Sequence, residues 1–345
     1  MDSTYHVTVL MSVYNGEQFL RAAIDSILAQ TYQDFEFVIY DDCSTDDTQM
    51  IIQSYNDLRI VYRRNAANKG LTVNLADGVA RSKSKYIVRM DADDIAYPDR
   101  IEKQVEWMEL HPEVSIMGTP VTYFHEVPDD GGLAAPQPQD DATIKATLFI
   151  SFTLMHPSII IRRKDLVSHN INYNPKFKYS QDHALYFDCI LAGLQFANMP
   201  EPLLYMRAHK GSISRHLHVP QQECSMKIRR NFLRATGIDD GCDESEIEVY
   251  NAFASGVFPN TITKVHLYER FVKNVYNNPS TSKFFNKEIL LKSLAGALYN
   301  RVYHASDDKS LKRICLTAYN STLTKYCKKW PIKQHIKFYI KLLIR

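Results

Sequence analysis

Three carboxylates fall within four positions at Asp91-Ala92-Asp93-Asp94, directly after the apolar, β-branched run Tyr86-Ile-Val-Arg-Met90. Packed acids repel one another, so a fold that keeps them at one strand end usually supplies a cation. Hard ions such as Mg²⁺ or Mn²⁺ take carboxylate oxygens and leave positions open for the oxygens of a diphosphate. The competing account is a solvated acidic turn ahead of the helix that Pro98 begins, and D-x-D alone has little specificity. A second acid pair, Asp41-Asp42, also closes a strand-like run, Phe35 to Tyr40, and precedes Cys43-Ser44-Thr45-Asp46. Asp42 either caps the next helix or accepts a hydrogen bond from a nucleotide base, whose N–H an apolar residue would match poorly. Ser12-Val13-Tyr14-Asn15, after the first strand-like run, would frame the same crevice.

The elements that must position these residues alternate. Val7 to Val13 is valine-rich and suits a strand buried on both faces. Gly16 to Gln30 carries Phe19, Leu20, Ala23, Ile24, Ile27 and Leu28 at helical spacing. Phe35 to Tyr40 is the second strand, and Ser44 with Asp47 has the spacing of a capping box for a helix running to about Tyr55. Leu58 to Tyr62, Leu71 to Arg81 and Tyr86 to Met90 continue as strand, helix and strand, which implies a parallel sheet with right-handed crossovers. Acids at the carboxyl ends of such strands lie where open α/β sheets bind ligands. Further on, the patterns predict a helix from Pro98 to His111, a strand from Val114 to Phe124, and a mobile loop over Glu126 to Asp141. A strand at Ser158 to Ile161, a helix at Asp182 to Leu191 and a strand near Phe196 to Met199 follow. From Pro220 only helical periods remain, including Ile289 to Tyr303 and Ile332 to Ile344, so a boundary is placed near residue 218.

A chain of 345 residues with 45% hydrophobic residues can bury a real core and is not dominated by disorder. The formal net charge of +2 argues against a dedicated nucleic-acid binder. Cysteines at 43, 189, 224, 242, 315 and 327 show no C-x-x-C pair and read as free thiols of a reducing compartment. The N-terminus lacks the basic region of a signal peptide, and no window reaches the roughly 18 apolar residues of a membrane span. A cytosolic location is the expectation.

The order of motifs is more specific than any one of them. Val7-Thr-Val-Leu-Met-Ser-Val-Tyr-Asn-Gly-Glu17, Tyr40-Asp-Asp-Cys-Ser-Thr-Asp46, Asn68-Lys-Gly-Leu-Thr-Val-Asn74 and Met90-Asp-Ala-Asp-Asp94 together resemble family 2 glycosyltransferases, among them bacterial O-antigen and capsule enzymes. The resemblance covers about residues 5 to 215 and implies a GT-A fold. That fold is a Rossmann-like nucleotide-sugar unit with a mixed, mainly parallel sheet flanked by helices, here over 1–218, with a helical extension over 219–345. Carried over by position, it implies that Ser12, Tyr14 and Asp42 surround the uridine of a UDP-sugar and that Lys69 lies near the nucleotide. Asp91 would sit near ribose and metal, and Asp93 would ligate Mn²⁺ or Mg²⁺. Ser12 stands where many relatives have proline.

Tyr179-Ser-Gln-Asp-His-Ala-Leu185 resembles the family's Glu-Asp motif, with Gln181 in place of the first acid. Asp182 is then the general base, since an acceptor hydroxyl must lose its proton as it attacks the anomeric carbon. Without that resemblance it reads as an acid favoured by a helix N-terminus. Tyr205-Met-Arg-Ala-His-Lys-Gly-Ser-Ile-Ser214 resembles a Tyr-Arg-x-His-x-x-x-Ser segment with Met206 inserted. It implies His209 as a third metal ligand and Arg207 as a diphosphate contact. His156-Pro157-Ser158 matches a position near the acceptor pocket.

The near-neutral total hides two unlike parts. Residues 1 to 308 hold 31 Lys+Arg and all 39 acids, 31 − 39 = −8, and residues 309 to 345 contribute +10. Lys333, Lys337, Lys341 and Arg345 form a stripe beside Ile332, Ile336, Ile340 and Ile344, the pattern of a basic amphipathic helix suited to an anionic membrane surface. The expectation is an inverting enzyme on the inner face of the plasma membrane, extending a polyprenyl-diphosphate-linked oligosaccharide. The alternatives are a catalytically silent nucleotide-sugar-binding scaffold and a nucleotidyltransferase. The latter needs a glycine-rich phosphate loop, and Gly16 is the only glycine before Gly70. Homo-oligomerisation is left open.

Overall fold

β1 (Val7–Val13) is covered on both faces, as its composition requires, and its one fully buried hydroxyl, Thr8, bonds Ser82 and Ser84 at 2.9 and 2.5 Å. It pairs in parallel with β2 (Phe35–Asp41) on one side and with β4 (Tyr86–Met90) on the other. β3 (Ile60–Arg64) adds outside β2. The chain therefore winds outward from β1 to β3 and then returns to lay β4 on the opposite side of β1. Such a reversal is a topological switch point, where the connections leaving β1 and β4 diverge and open a crevice.

In the computed structural model, which describes residues 5–128, 130–209, 218–306, 308–326 and 338, the central sheet has seven strands in the order β10-β6-β9-β4-β1-β2-β3. β6 is Val114–Gly118, β9 Ile160–Arg162 and β10 Gln195–Asn198, and β9 runs antiparallel to both of its neighbours. The helices α1 (Leu20–Leu28), α3 (Leu71–Arg81) and α4 (Arg100–Leu110) carry the connections. α3 seats closely on β1 because position 78 is glycine: a Cβ there would lie 2.4 Å from Leu10 Cδ1.

Arg162 fixes the antiparallel strand. Its buried guanidinium donates to the carbonyls of Val114, Met108 and His111 and to the Tyr86 hydroxyl, at 2.7 to 3.0 Å. Replacement by an apolar residue leaves these acceptors buried without donors, each costing roughly 1–3 kcal/mol. Arg162→Met is expected to lower unfolding stability by about 3 kcal/mol, read as an earlier urea midpoint at unchanged slope.

The expected single strand over 114–124 is two. β6 ends at Gly118, and Pro120, which has no N–H and a fixed φ, interrupts the ladder. β7 (Thr122–Phe124) joins a second sheet in the order β5-β11-β7-β8, with β5 at Ile95–Ala96, β8 at Gly132–Leu133 and β11 at Leu204–Arg207. The stretch after β7 is likewise more ordered than a mobile loop. Asp130 accepts from the N–H groups of His125, Glu126 and Val127 at 2.7, 2.8 and 3.2 Å, and β8 pairs back onto β7.

Packing divides the chain into 1–144 with 153–224, and 145–152 with 225–345. The second unit is helical among its described residues. Phe149, Phe232, Tyr250, Phe271 and Phe285 form its aromatic core, and the helices Glu244–Ala254, Ile262–Asn277 and Lys287–Ala305 are capped by Asp243, Thr261 and Asn286 side chains. No described helix is long and apolar enough to cross a membrane. The basic amphipathic pattern of 332–344 lies outside the described residues except for Phe338, as does Lys210 to Ser214.

Candidate active site

The crevice wall below β1 and β2 is a hydrogen-bonded relay. Ser12 Oγ accepts from Asn74 Nδ2 at 2.9 Å, Asn74 Oδ1 accepts from Asn65 Nδ2 at 2.7 Å, and Asn65 Nδ2 also reaches Asp42 Oδ1 at 2.7 Å. The Asp42 carboxylate accepts in addition from the N–H groups of Lys69 and Gly70, at 2.9 and 2.7 Å. Burial pushes Asp42 up, but the Lys69 N–H, Asn65, the Gly70 N–H and Asn74 together hold it below its ordinary value. Gly70 sits at φ +88°, a conformation that suits glycine, so the loop can turn both N–H groups onto one carboxylate. Asp42 thus organises the loop that carries Lys69. The Lys69 side chain is exposed, and Tyr14 is 52% exposed at the rim.

The helix after β2 does not start at the capping box. It is α2 (Thr48–Gln53), and Ser44 and Asp47 serve the β1 exit instead. Ser44 Oγ accepts from Asn15 N–H at 3.0 Å, Glu17 Oε2 accepts from Asp47 N–H at 2.9 Å, and Asp46 accepts from Glu17 N–H at 3.0 Å. Side chains that could cap locally here fasten two strand exits together.

At the end of β4, one carboxylate oxygen each from Asp91, Asp93 and Asp94 lies within 4.8 Å of the others. Asp91 is ion-paired with the buried Arg89, Asp93 Oδ2 is 2.8 Å from His209 Nε2, and Asp94 Oδ1 accepts from Arg207 N–H at 2.9 Å. Asp94 Oδ2 is buried with no partner among the described residues. Burial raises Asp91, with Arg89 opposing and Asp93 adding to the shift; burial and both acid neighbours raise Asp94 well above its ordinary value. Clustered, mutually repelling oxygens with one left unpaired are a donor set that fits a hard divalent cation.

Arg207 lies directly behind the acid cluster. Its Nε donates to Asp93 O at 2.9 Å and its Nη1 to His125 O at 2.8 Å, with the guanidinium 4.3 and 4.2 Å from the ring centroids of Phe19 and Phe124. Carbonyl and aromatic partners hold this cation as a strut behind Asp93. His209 packs its ring edgewise on the same Phe19 at 4.9 Å.

α7 (Gln181–Leu191) brings Asp182 to the site from the second half of the sheet. Ser180, at φ +53°, turns the chain into it, and Ser180 Oγ donates to Gln221 O at 3.2 Å. The half-buried Asp182 carboxylate accepts from His183 N–H at 2.9 Å. Burial raises it; that N–H and the charge of Arg89 pull it down, and Asp91 pushes it up, so the two acids lie within electrostatic reach. His156 is buried, with Nε2 2.8 Å from Tyr173 Oη. Asn65, Arg89 and Arg100 escaped the sequence reading. Arg100, which braces the Arg89 and Pro157 carbonyls at 2.7 and 2.8 Å, carried no signal beyond its place in a helix.

The model of the family described as Glycosyl transferase family 2 matches residues 8–170. An uncharacterized glycosyltransferase of Haemophilus influenzae is 30% identical over 275 residues, 77% of this chain and 98% of its own. The amylovoran biosynthesis glycosyltransferase AmsE of Erwinia amylovora is 30% identical over 212 residues, 60% of this chain and 78% of its own. Among solved structures, S. aureus TarS 1–349 in complex with UDP-GlcNAc superposes with a TM-score of 0.57 at 16% identity, over 97% of this chain and 90% of that one, a likeness of fold. With its switch-point crevice, its acid cluster after β4 and a relative 30% identical that it matches over 98% of that relative's length, the chain belongs to glycosyltransferase family 2 and is a glycosyltransferase of GT-A fold.

Proposed function

We propose that this enzyme is an inverting, metal-dependent transferase that moves a hexose or N-acetylhexosamine from a UDP-sugar to a hydroxyl of an oligosaccharide acceptor. The acceptor is proposed to be linked to polyprenyl diphosphate, in the synthesis of a bacterial surface polysaccharide such as O-antigen or capsule. One observation carries the reading: the carboxylates of Asp91, Asp93 and Asp94 converge within 4.8 Å of one another at the β4 exit, beside the switch-point crevice. The UDP-GlcNAc held by the similarly folded TarS and the polysaccharide named for AmsE support the donor and the pathway class.

In this reading Ser12, Tyr14 and Asp42 bound the uridine site, with Asp42 also holding the Lys69 loop toward it. Asp93, Asp91 and His209 are the residues proposed to hold Mn²⁺ or Mg²⁺, which when bound neutralises charge on the leaving diphosphate. Arg207 is proposed as a diphosphate contact, and its Nε bond to Asp93 O also fixes the Asp93 backbone. Asp182 takes the proton of the acceptor hydroxyl as its oxygen bonds to the anomeric carbon. The bond from that carbon to the β-phosphate oxygen breaks, and its electron pair leaves with UDP. One base and no covalent intermediate give a single displacement, hence inversion. A panel of UDP-sugars with acceptor is expected to yield β-linked product from an α-linked donor in the anomeric proton spectrum. An α-linked product would overturn the single displacement.

The +10 segment 309–345 is proposed to place the enzyme on the anionic inner face of the plasma membrane, where a lipid-linked acceptor is found. Truncation after Lys329 is expected to abolish sedimentation with anionic vesicles. Unchanged sedimentation refutes the anchor.

A further inference from the structure

α3 lies against β1 in matched steps. Gly78 seats on Leu10, and Asn74, one turn earlier on the same face of α3, meets Ser12, two residues later on the same face of β1. Asn74 is buried, so its amide is oriented by its protein partners rather than by water. Ser12 is half-buried at the carboxyl end of β1, where the crevice opens.

The direction of every bond in the relay follows from Asp42. Burial pushes Asp42 up, but the Lys69 N–H, Asn65, the Gly70 N–H and Asn74 hold it below its ordinary value, so it is an anion that can only accept. The Asn65 atom that faces it at 2.7 Å is therefore the amide nitrogen. The second hydrogen of that nitrogen goes to Asn74 at 2.7 Å, so Asn74 presents its carbonyl oxygen there. Its own amide nitrogen is left for Ser12, 2.9 Å away, and the serine oxygen accepts. A hydroxyl that accepts from behind keeps its hydrogen to give. Ser12 has no acceptor for that hydrogen among the described residues, so the donor is left to whatever fills the crevice.

We propose that Asn74 sets the base selectivity of the nucleotide site: by holding Ser12 as a hydrogen-bond donor, it selects a base that offers a carbonyl oxygen, uracil, over one that offers an amino group, cytosine. This rests on the uridine reading of the crevice. Ser12 is the contact, and Asn74 is a positioning residue that acts through it. UDP and CDP share the ribose and the diphosphate and differ only at the base, so the pair isolates this one bond. Against cytosine the Ser12 hydrogen meets an amino group, donor against donor, and both are left unpaired. The same logic predicts a reversal. In Asn74→Asp the side chain accepts from Asn65 and from the Ser12 hydroxyl alike, which leaves the serine oxygen to accept from the ligand.

The test measures UDP and CDP affinity by calorimetry on the full chain with Mn²⁺, at about pH 8 to keep carboxylates ionised. It compares the unaltered enzyme with Ser12→Ala, Asn74→Asp and the two substitutions combined. The unaltered enzyme is expected to bind UDP at least about tenfold more tightly than CDP, and Ser12→Ala to lose about tenfold of that preference. Asn74→Asp is expected to lose more, since the serine then favours the amino group. In the Ser12→Ala background it is expected to leave the ratio unchanged. A UDP-to-CDP ratio equal to that of the unaltered enzyme in both single variants would overturn the proposal, as would equal affinities in the unaltered enzyme. If Asn74→Asp does not fold, Asn74→Ala decides: its released hydroxyl can turn either way, so the preference is expected to shrink, and an unchanged ratio overturns the proposal. Failure of the uridine reading is distinguishable, since the unaltered enzyme would then bind neither nucleotide and the proposal would fall with it.

Discussion

Asp182→Asn is expected to lower kcat for transfer by about 10³-fold, within the 10²–10⁴ that a positioned general base contributes, while leaving UDP affinity within about twofold. The amide keeps the shape and the contact with His183 N–H but cannot take the acceptor proton. Stability gives a control with the opposite sign. Burial raises Asp182 in the folded state, so the native protein binds more protons than the unfolded chain between the ordinary aspartate value and the raised one. Unfolding free energy therefore falls as pH rises through that window, and the cost of the buried charge is fully present above it. Removing the charge is expected to raise the melting temperature of Asp182→Asn at neutral pH, with convergence toward the unaltered protein in acid. Activity and stability then move in opposite directions, which misfolding cannot produce. For the unaltered enzyme the acid limb of transfer is expected above the ordinary aspartate range. Retained transfer in Asp182→Asn would sink the base assignment.

What could be read locally and what could not follows from how far apart the interacting groups lie. β1, α3 and β4 come out at the boundaries expected, because each satisfies its hydrophobic period within its own length. The acid cluster was legible for the same reason, its members being adjacent in sequence and placed by one strand end. Ser44 and Asp47 misled because their capping pattern is real, yet tertiary bonds to Asn15 and Glu17 outcompete it. Pro120 was visible, but an apolar run on both sides concealed that the chain changes sheets there. The Ser12–Asn74–Asn65–Asp42 relay joins residues up to 62 positions apart, and no periodicity marks such pairs. Arg207 was legible as a cation of a polar motif, but its bonds to three backbone carbonyls and its contacts with two aromatic rings join groups far apart in sequence, which no local pattern marks.

Asp93→Asn is expected to reduce transfer by at least 10²-fold, and the reason is separable from folding. Asp93 is the acid of the cluster that also meets His209, at 2.8 Å, so its loss removes one oxygen donor and the partner that orients the imidazole. It also removes a charge that raises both Asp91 and Asp94. Without a cation, relief of that repulsion stabilises the fold, and the metal-free variant is expected to melt at or above the temperature of the unaltered protein. With Mn²⁺ the order reverses. An ion that binds only the native state at a hundred times its Kd adds about 2.7 kcal/mol to stability, a gain the unaltered enzyme should show and Asp93→Asn should largely lose. Excess EDTA is expected to stop transfer by the unaltered enzyme, and Mn²⁺ or Mg²⁺ to restore it. Full activity in EDTA, or an equal Mn²⁺-induced rise in melting temperature in both proteins, would show that the cluster does not hold the ion. In that case the Asp94 oxygen, unpaired among the described residues, and the raised acids would need another partner, and Arg207, fixed behind Asp93 by His125 and Phe124, is too constrained to supply it.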